Sequence, residues 1–495
     1  MPFNSVDFLL FFPPVVLAYF LWPARWRYLW LLAASYFFYG CWNAKYAILL
    51  LFSTVATWIT GLVLERCRAG RFPRRGADAV FALCLVANLG VLGLFKYVDF
   101  ILLNLNALLA PAGVSLEKPN DLVFLLPVGI SFYTFQALGY AIDVRRGTIR
   151  AERNFFRYAL FVSFFPQLVA GPIERASHLL PQFRRPTFFH VPDVRRGLLA
   201  MAYGLFLKVV VADNLAAVAN PVFAQGAAAH GMRLLTATVL FAFQIYCDFE
   251  GYSQIAIGSA RVLGFRIDAN FRTPYLAGSV RDFWRRWHVS LTSWFKDYLY
   301  IPLGGNRRGR LRKRANLVFV FLVSGLWHGA AWNFVAWGGA NGLLLVAQDA
   351  TEGLRAKIRR LLRIDPASFG WRAFSVFATF ALVDATWLLF RAPDLGAAWA
   401  IARRIAAQFD PLYFLTSDFA AMFGPPPRGG VVAFALLATA ACDLVRARVP
   451  DAAGRILRQG AVFRWAFYLL ALASLFLLGA YGKNHEPSQF IYFQF

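Results

Sequence analysis

Residues 319–337 read FVFLVSGLWHGAAWNFVAW, an apolar run carrying a single ionisable side chain, His328. A helix crosses the roughly 30 Å hydrocarbon core of a bilayer with about 20 such residues, and shorter runs suffice where the membrane is locally thin. Working outward, similar segments recur at 6–22, 28–42, 46–64, 78–96, 122–142, 197–215, 233–255, 316–332, 335–349, 372–391, 431–446 and 465–481. The pattern predicts an all-α, polytopic transmembrane helical bundle of about 11–12 spans.

Composition agrees. Of 495 residues, 59% are hydrophobic, 17% aromatic and only 16% charged. A soluble chain carries about a quarter charged residues and needs that polar surface to face water. Lys and Arg number 51 against 26 acidic residues, a formal +25. These cations fall in short loops between apolar runs, where they orient the chain and meet anionic lipid, so membrane lipids are expected partners and nucleic acid is not. Five scattered cysteines (Cys41, Cys67, Cys84, Cys247, Cys442) form no CxxC, which argues against a disulfide framework or zinc site. The opening MPFNSVDFLLFFPPVVLAYFLW has no basic leader and no small-residue cleavage site, and reads as a first span.

The loops give a topology. Arg66, Arg68, Arg71, Arg74 and Arg75 crowd one loop, and Arg145, Arg146, Arg150, Arg153 and Arg157 another. Residues 265–315, 355–363 and 446–464 are also basic, whereas 213–232 contains neither Lys nor Arg. With both termini outside, all the basic loops fall on the cytoplasmic side. This requires 98–112 and 158–171 to be re-entrant or interfacial pieces, which survive only where protein or water covers the backbone. Segments 349–371 and 392–430 are the least apolar; no repeat or long linker appears, and residues 1–495 read as one membrane domain.

The histidines locate the chemistry. Of His178, His190, His230, His288, His328 and His485, only His328 sits inside an apolar run, about 12 residues or roughly 18 Å into the 316–332 segment. An ionisable group at that depth is costly and is a functional candidate. The bland alternative is a neutral core histidine packed by Trp327 and Trp332. Gly325 and Gly329 flank it and offer space for a substrate channel, and imidazole accepts a proton near neutral pH.

A second feature is RDFWRRWHVSLTSWFKDYLYIPLGGNRRGRLRKR, residues 281–314. Phe283, Trp287, Leu291, Trp294 and Tyr298 recur every three or four positions, which predicts one amphipathic helix at the cytoplasmic interface with His288 projecting from it. Pro302, Gly304 and Gly305 end it. Arg307, Arg308, Arg310, Arg312, Lys313 and Arg314 then form a basic run, either a topology anchor or a docking surface for an acidic or nucleotide-bearing donor.

Polar groups inside apolar stretches are the third feature. Tyr246, Asp248, Glu250, Tyr252, Ser253 and Gln254 interrupt FQIYCDFEGYSQIAIGSA, and two carboxylates there must pair or line a wet cavity. Pro127 and Gly129 break a helix beside Ser131, Tyr133, Thr134 and Gln136, while Pro166, Gln167, Gly171, Pro172 and Glu174 read as a loop entering the membrane. Together with His288 and His328 these predict re-entrant and interfacial helices around an intramembrane catalytic cavity, with Asp248, Glu250, Tyr252, Ser253, Gln136 and Trp327 as lining candidates. No GxSxG, Walker A, GxGxxG or HExxH occurs, which disfavours a serine or zinc hydrolase and an ATP-driven pump.

WHVSLTSWFKDYLYIPLGGNRRG, followed some forty residues later by GLWHGAAWNF, resembles the signature of the membrane-bound O-acyltransferases. FYTFQALGYAIDVRRG, FFPQLVAGPIER, YCDFEGYSQIAIGSARVLGF and the terminal FIYFQF extend the likeness over most of 120–340 and the tail at 482–495, nearest to the bacterial branch that O-acetylates alginate. One departure is YCDFEGYSQ, with Cys247, Glu250 and Gln254 where the family pattern has YFDFSGYSD; it bears on substrate rather than on reaction class.

The resemblance implies a bacterial inner-membrane enzyme that passes an acetyl group from a cytoplasmic thioester to an exported polysaccharide, alginate first, then cellulose, peptidoglycan or another exopolysaccharide, or that transfers D-alanyl groups. His328 matches the family's catalytic histidine and His288 its donor-side histidine. Acetyl-CoA is the expected donor, with no bound cofactor or metal, and periplasmic acetyltransferases of an export complex are the expected partners. Tyr492 is a candidate acyl relay; an interfacial aromatic anchor is the other reading of that tail. A transporter of lipid-linked sugars would also use broken helices and buried carboxylates, but no inverted repeat supports it.

Overall fold

A computed structural model describes residues 1–116, 126–481 and 490–491. Every regular element among the described residues is helical. Each of the twelve expected segments holds helix, and among the described residues seven stretches are long and apolar enough to cross a membrane: Ala24–Arg68, Arg74–Lys96, Val191–Ala228, Gly231–Val262, Phe369–Arg391, Arg428–Arg448 and Ala461–Leu478. The first of these holds two expected spans, Arg27–Asn43 and Ala47–Arg68. These hold eight of the twelve expected spans; of the other four, Val6–Leu21 has 16 residues, Ile130–Arg146 has 17, Gly309–His328 carries Arg310, Arg312, Lys313 and Arg314 in its first two turns, and Trp332–Ala350 is not among the seven. Leu9, Leu10, Leu83, Val86, Leu437, Leu469 and Phe476 are exposed, the surface a bilayer covers. The protein is a multi-pass membrane protein.

The backbone divides into two compact units. The first comprises Met1–Met201 and Ile255–Asp268. Here Ala47–Arg68 packs on Ile130–Arg146 and Arg74–Lys96. Its small and hydroxylated face explains how: a Cβ at Gly61 would sit 2.6 Å from Tyr140 Oη, and Thr57 Oγ1 lies 2.7 Å from Tyr158 Oη. Without water, such hydroxyls must find partners inside the bundle. Gly129, at φ +76, starts the Ile130–Arg146 helix in a conformation only glycine adopts readily. Residues expected not to cross form the short helices Val98–Leu109, Phe155–Ser163 and Phe165–Leu168.

The second unit comprises Ala202–Gln254 and Ala269–Phe495. Its centre is a hairpin of two antiparallel helices, Gly309–His328 and Trp332–Ala350. Glycines set their spacing. A Cβ at Gly325 would lie 2.2 Å from the Phe334 carbonyl oxygen, and one at Gly338 would lie 2.1 Å from that of Phe321. Small residues let membrane helices approach this closely. The expected space beside His328 is therefore filled: the partner helix backbone covers Gly325, and the Phe334 ring stands 2.2 Å from the Cβ position of Gly329.

Candidate active site

His328 is the last residue of the Gly309–His328 helix, after which Gly329 turns extended. It thus closes a helix that begins before the expected span, rather than lying part-way along one. The imidazole is buried, with ring centroids at 5.0 Å to Trp327, 5.1 Å to Trp337 and 5.7 Å to Phe390. Trp332 is 53% exposed.

The single amphipathic helix expected over 281–301 is broken. Val280–Arg286 ends at Trp287 in extended backbone, His288 takes φ +42, and helix resumes at Val289–Phe295. A non-glycine residue there is uncommon and needs outside support. Asn270 supplies it. Its carbonyl accepts from Val289 N at 2.8 Å, its Oδ1 accepts from Ser290 Oγ at 2.6 Å, and its Nδ2 donates to Ser253 Oγ at 2.9 Å. Arg272 N also donates to Arg286 O. These tertiary hydrogen bonds replace the helical ones, so His288 is buried at 1% exposure rather than projecting at an interface. It lies outside every spanning helix, and burial pushes its imidazole down to about 3, leaving it neutral. Its ring centroid is 4.7 Å from Phe249, 6.3 Å from Trp327 and 6.4 Å from His328.

Both histidines face one cavity of about 480 Å³, a volume suited to a cofactor-sized ligand. Apolar walls come from Trp284, Leu291, Phe295, Leu317, Val320, Phe321, Leu345 and Val346. Five cations line it, Arg281, Arg285, Lys296, Lys313 and Arg314, against one carboxylate, Asp349. Asp349 gathers three of them: Lys313 at 2.6 Å, Arg281 at 3.3 Å and Arg314 at 3.6 Å. The Arg281, Lys313 and Arg314 side chains are 31–42% exposed while the histidines are buried, so the cavity runs from a cationic mouth to paired imidazoles. The turn Lys296–Tyr300 is a π-helix, a wider coil frequent at functional sites, and it supplies Lys296 and Tyr300 to the wall.

Of the expected docking run, Lys313 and Arg314 line the cavity; Arg307, Arg308, Arg310 and Arg312 are exposed and are not among its lining residues. Arg281, Arg285, Lys296, Trp284 and Asn270 were not singled out for these places. The first three sit on helical faces that read equally as interfacial anchors, and Asn270 lies in a loop with no pattern to mark it.

None of Asp248, Glu250, Tyr252, Ser253, Gln136 and Trp327 is among that cavity's lining residues. Ser253 instead braces Asn270, and Trp327 packs on both histidines. Gln136 donates to Phe161 O in the first unit. Glu250 Oε1 accepts from Arg446 at 2.6 Å and from Gln254 at 2.8 Å, so two of the three residues expected to depart from the family pattern bond each other. Asp248 pairs with Lys208, and Tyr252 packs on Phe490. Tyr492 lies outside the described residues.

Elsewhere, Glu174, His178 and Asp268 bring ligand atoms within 4.8 Å of one another in the first unit, close enough to hold a cation. His178 Nδ1 is 2.8 Å from Glu174 Oε2, which raises the imidazole above its ordinary value, while burial raises Glu174.

Comparison with known proteins follows the same residues. The profile of the membrane-bound O-acyltransferase family matches residues 146–382, a range containing both histidines and the whole cavity. The chain is 41% identical to the probable alginate O-acetylase AlgI of Azotobacter vinelandii, over 83% of this chain and 78% of that protein. It is 40% identical to the probable alginate O-acetylase AlgI of Pseudomonas aeruginosa, over 81% of this chain and 74% of that one. The peptidoglycan O-acetyltransferase of Helicobacter pylori is 35% identical over 81% of this chain and 79% of its own length. The chain belongs to the membrane-bound O-acyltransferase family and is an O-acyltransferase.

Proposed function

We propose that this enzyme passes an acetyl group from a cytoplasmic thioester, acetyl-CoA, to a polysaccharide exported through a bacterial inner membrane, alginate being the first candidate polymer. One observation carries the reading: a cavity with a cationic mouth leads to two buried imidazoles. Phosphates of a coenzyme A suit Arg281, Arg285, Lys296, Lys313 and Arg314, and a thioester arm suits the apolar walls. The names of the relatives support acetyl as the group moved and alginate as the polymer. Peptidoglycan is the second reading, favoured by the 35% identical peptidoglycan O-acetyltransferase.

In the transfer, His328 accepts the proton of an acceptor hydroxyl whose oxygen attacks the acyl carbonyl. The carbon–sulfur bond breaks, and the leaving thiolate takes the proton, giving an ester and a free thiol. Neutral His288, one ring further along the cavity, orients the donor. An apolar, water-poor wall protects the thioester from hydrolysis. The final acceptor is reached through periplasmic acetyltransferase partners, and Tyr492 serves as a relay towards them.

The test is transfer of radiolabelled acetyl from acetyl-CoA by purified protein in liposomes, comparing wild type with His328→Ala. Label on an added acceptor that is lost in the variant supports the reading. Wild-type transfer by His328→Ala would refute the role of His328, and no transfer by either, with partners present, would refute the donor.

A further inference from the structure

We propose that Asp248 is a positioning residue for the C-terminal segment, acting in a clamp built on the π-helical turn Phe206–Ala212. The idea rests on the acyltransferase reading above and adds the device that seats the segment beside the site.

The clamp has three attachments. At the end of the Ala461–Leu478 helix, Asn214 Nδ2 donates to Leu478 O at 2.9 Å. Two residues on, Ala480 N donates to Val209 O at 2.9 Å. A π-helical turn displaces the backbone hydrogen-bond pattern of an α-helix, which here accompanies a carbonyl turned to an outside donor. The third attachment is deeper. Ile491 N donates to Asp248 Oδ2 at 2.8 Å, while Asp248 Oδ1 accepts from Lys208 Nζ at 2.6 Å. Lys208 belongs to the same π-turn and also reaches Asp213 at 2.9 Å.

Asp248 is 2% exposed, Lys208 7%, Phe490 6% and Ile491 5%. Two buried carboxylates and a buried ammonium are costly in an apolar bundle, and a triad that merely pairs with itself gains little over apolar side chains. What this triad adds is a charged acceptor for one main-chain N–H of the tail. The seat adjoins the site: Phe490 packs at 5.6 Å on Phe249 and 5.0 Å on Tyr252, and Phe249 is the ring against which His288 stands at 4.7 Å. None of these clamp and tail residues lines the cationic cavity, so the clamp serves the transfer step rather than donor entry.

Truncating Asp248 or Lys208 leaves a buried charge and can unfold the bundle, so the decisive variant is in the tail. Ile491→Pro removes the donated N–H and leaves the triad intact; Ile491→Ala keeps the N–H. Hydrogen–deuterium exchange of the peptide containing 479–491, and acetyl transfer from acetyl-CoA, are measured on full-length protein in detergent. A hydrogen bond to a buried charged acceptor predicts roughly tenfold or faster exchange and a comparable fall in transfer for Ile491→Pro relative to Ile491→Ala, which keeps the N–H and shares the loss of the buried side chain. Wild-type exchange in Ile491→Pro would overturn the clamp. Faster exchange with unchanged transfer would overturn its positioning role. Absence of transfer in the wild type would sink the functional reading, while the exchange ratio would still decide the clamp.

Discussion

Replacing Gly338 by alanine adds one methyl group at the tightest point of the hairpin that carries His328. The new Cβ would stand 2.1 Å from Phe321 O, 3.0 Å from Phe321 C and 3.1 Å from Gly325 N, where real Cβ contacts essentially never fall below 3.0 Å. All three neighbours are backbone atoms, so no side chain can swing aside. The two helices must therefore separate by about 1 Å. Overpacking of this kind costs about 1–3 kcal/mol. The larger consequence is catalytic. His288 is fixed by Asn270, outside the hairpin, so separation moves His328 relative to a partner ring 6.4 Å away. A misplacement of about 1 Å can cost about a hundredfold in rate. The assay is acetyl transfer in liposomes, with thermal unfolding followed by tryptophan fluorescence. Gly339→Ala is the control, since its Cβ would meet only the flexible Leu322 Cδ2, at 3.2 Å. A Gly338→Ala enzyme with wild-type rate and midpoint would refute the argument that backbone contact sets the position of His328.

Other outcomes follow from the same geometry. Asn270→Ala removes the brace between Ser253 and Ser290, leaving two buried hydroxyls without their partner at about 1–3 kcal/mol; kcat is expected to fall about tenfold with KM little changed, and an unchanged kcat would contradict the bracing role. Arg281→Ala and Lys313→Ala should each raise the KM for acetyl-CoA severalfold, with the difference from wild type shrinking as salt rises, because both side chains are partly exposed; equal KM values at low salt would count against the cationic mouth. His178 has its pKa raised chiefly by its hydrogen bond to Glu174, so the stability it contributes is complete below its unfolded value near 6.5 and is lost as pH rises through the higher folded value. The midpoint gap between wild type and His178→Ala should thus narrow from pH 6 to pH 9, and a constant gap would exclude the linkage.

The helices were legible because hydropathy along the chain is a local property, and each expected segment holds helix. His328 was legible for the same reason: one imidazole in an apolar run is visible without any partner. What lay beyond reach was pairing. Phe283, Trp287, Leu291, Trp294 and Tyr298 illustrate it, since their helical spacing continues straight through the break at His288. The break is made by Asn270, and nothing local in the sequence marks that hydrogen bond. Likewise, Gly325 and Gly329 suggested open space, since a sequence shows the missing side chain and not the Phe334 backbone or ring that occupies its place. Buried carboxylates at Asp248 and Glu250 had either to pair or to line a wet cavity; they pair, and what the sequence did not locate is the cation of each, Lys208 and Arg446, in distant parts of the chain.

That last pairing bears on any attempt to recombine this enzyme with its relatives. Glu250 is fully buried and shares Arg446 with Asp443, which also accepts from the Tyr246 hydroxyl. A sequence grafted over 246–254 that lacks an acid at position 250 would leave the Arg446 guanidinium without its 2.6 Å partner, and Glu250 moved into a background without Arg446 would be a buried carboxylate with no counter-charge. The interchangeable unit is thus discontinuous: the segment at 246–254 travels only with the far end of the Arg428–Arg448 helix, almost two hundred residues away.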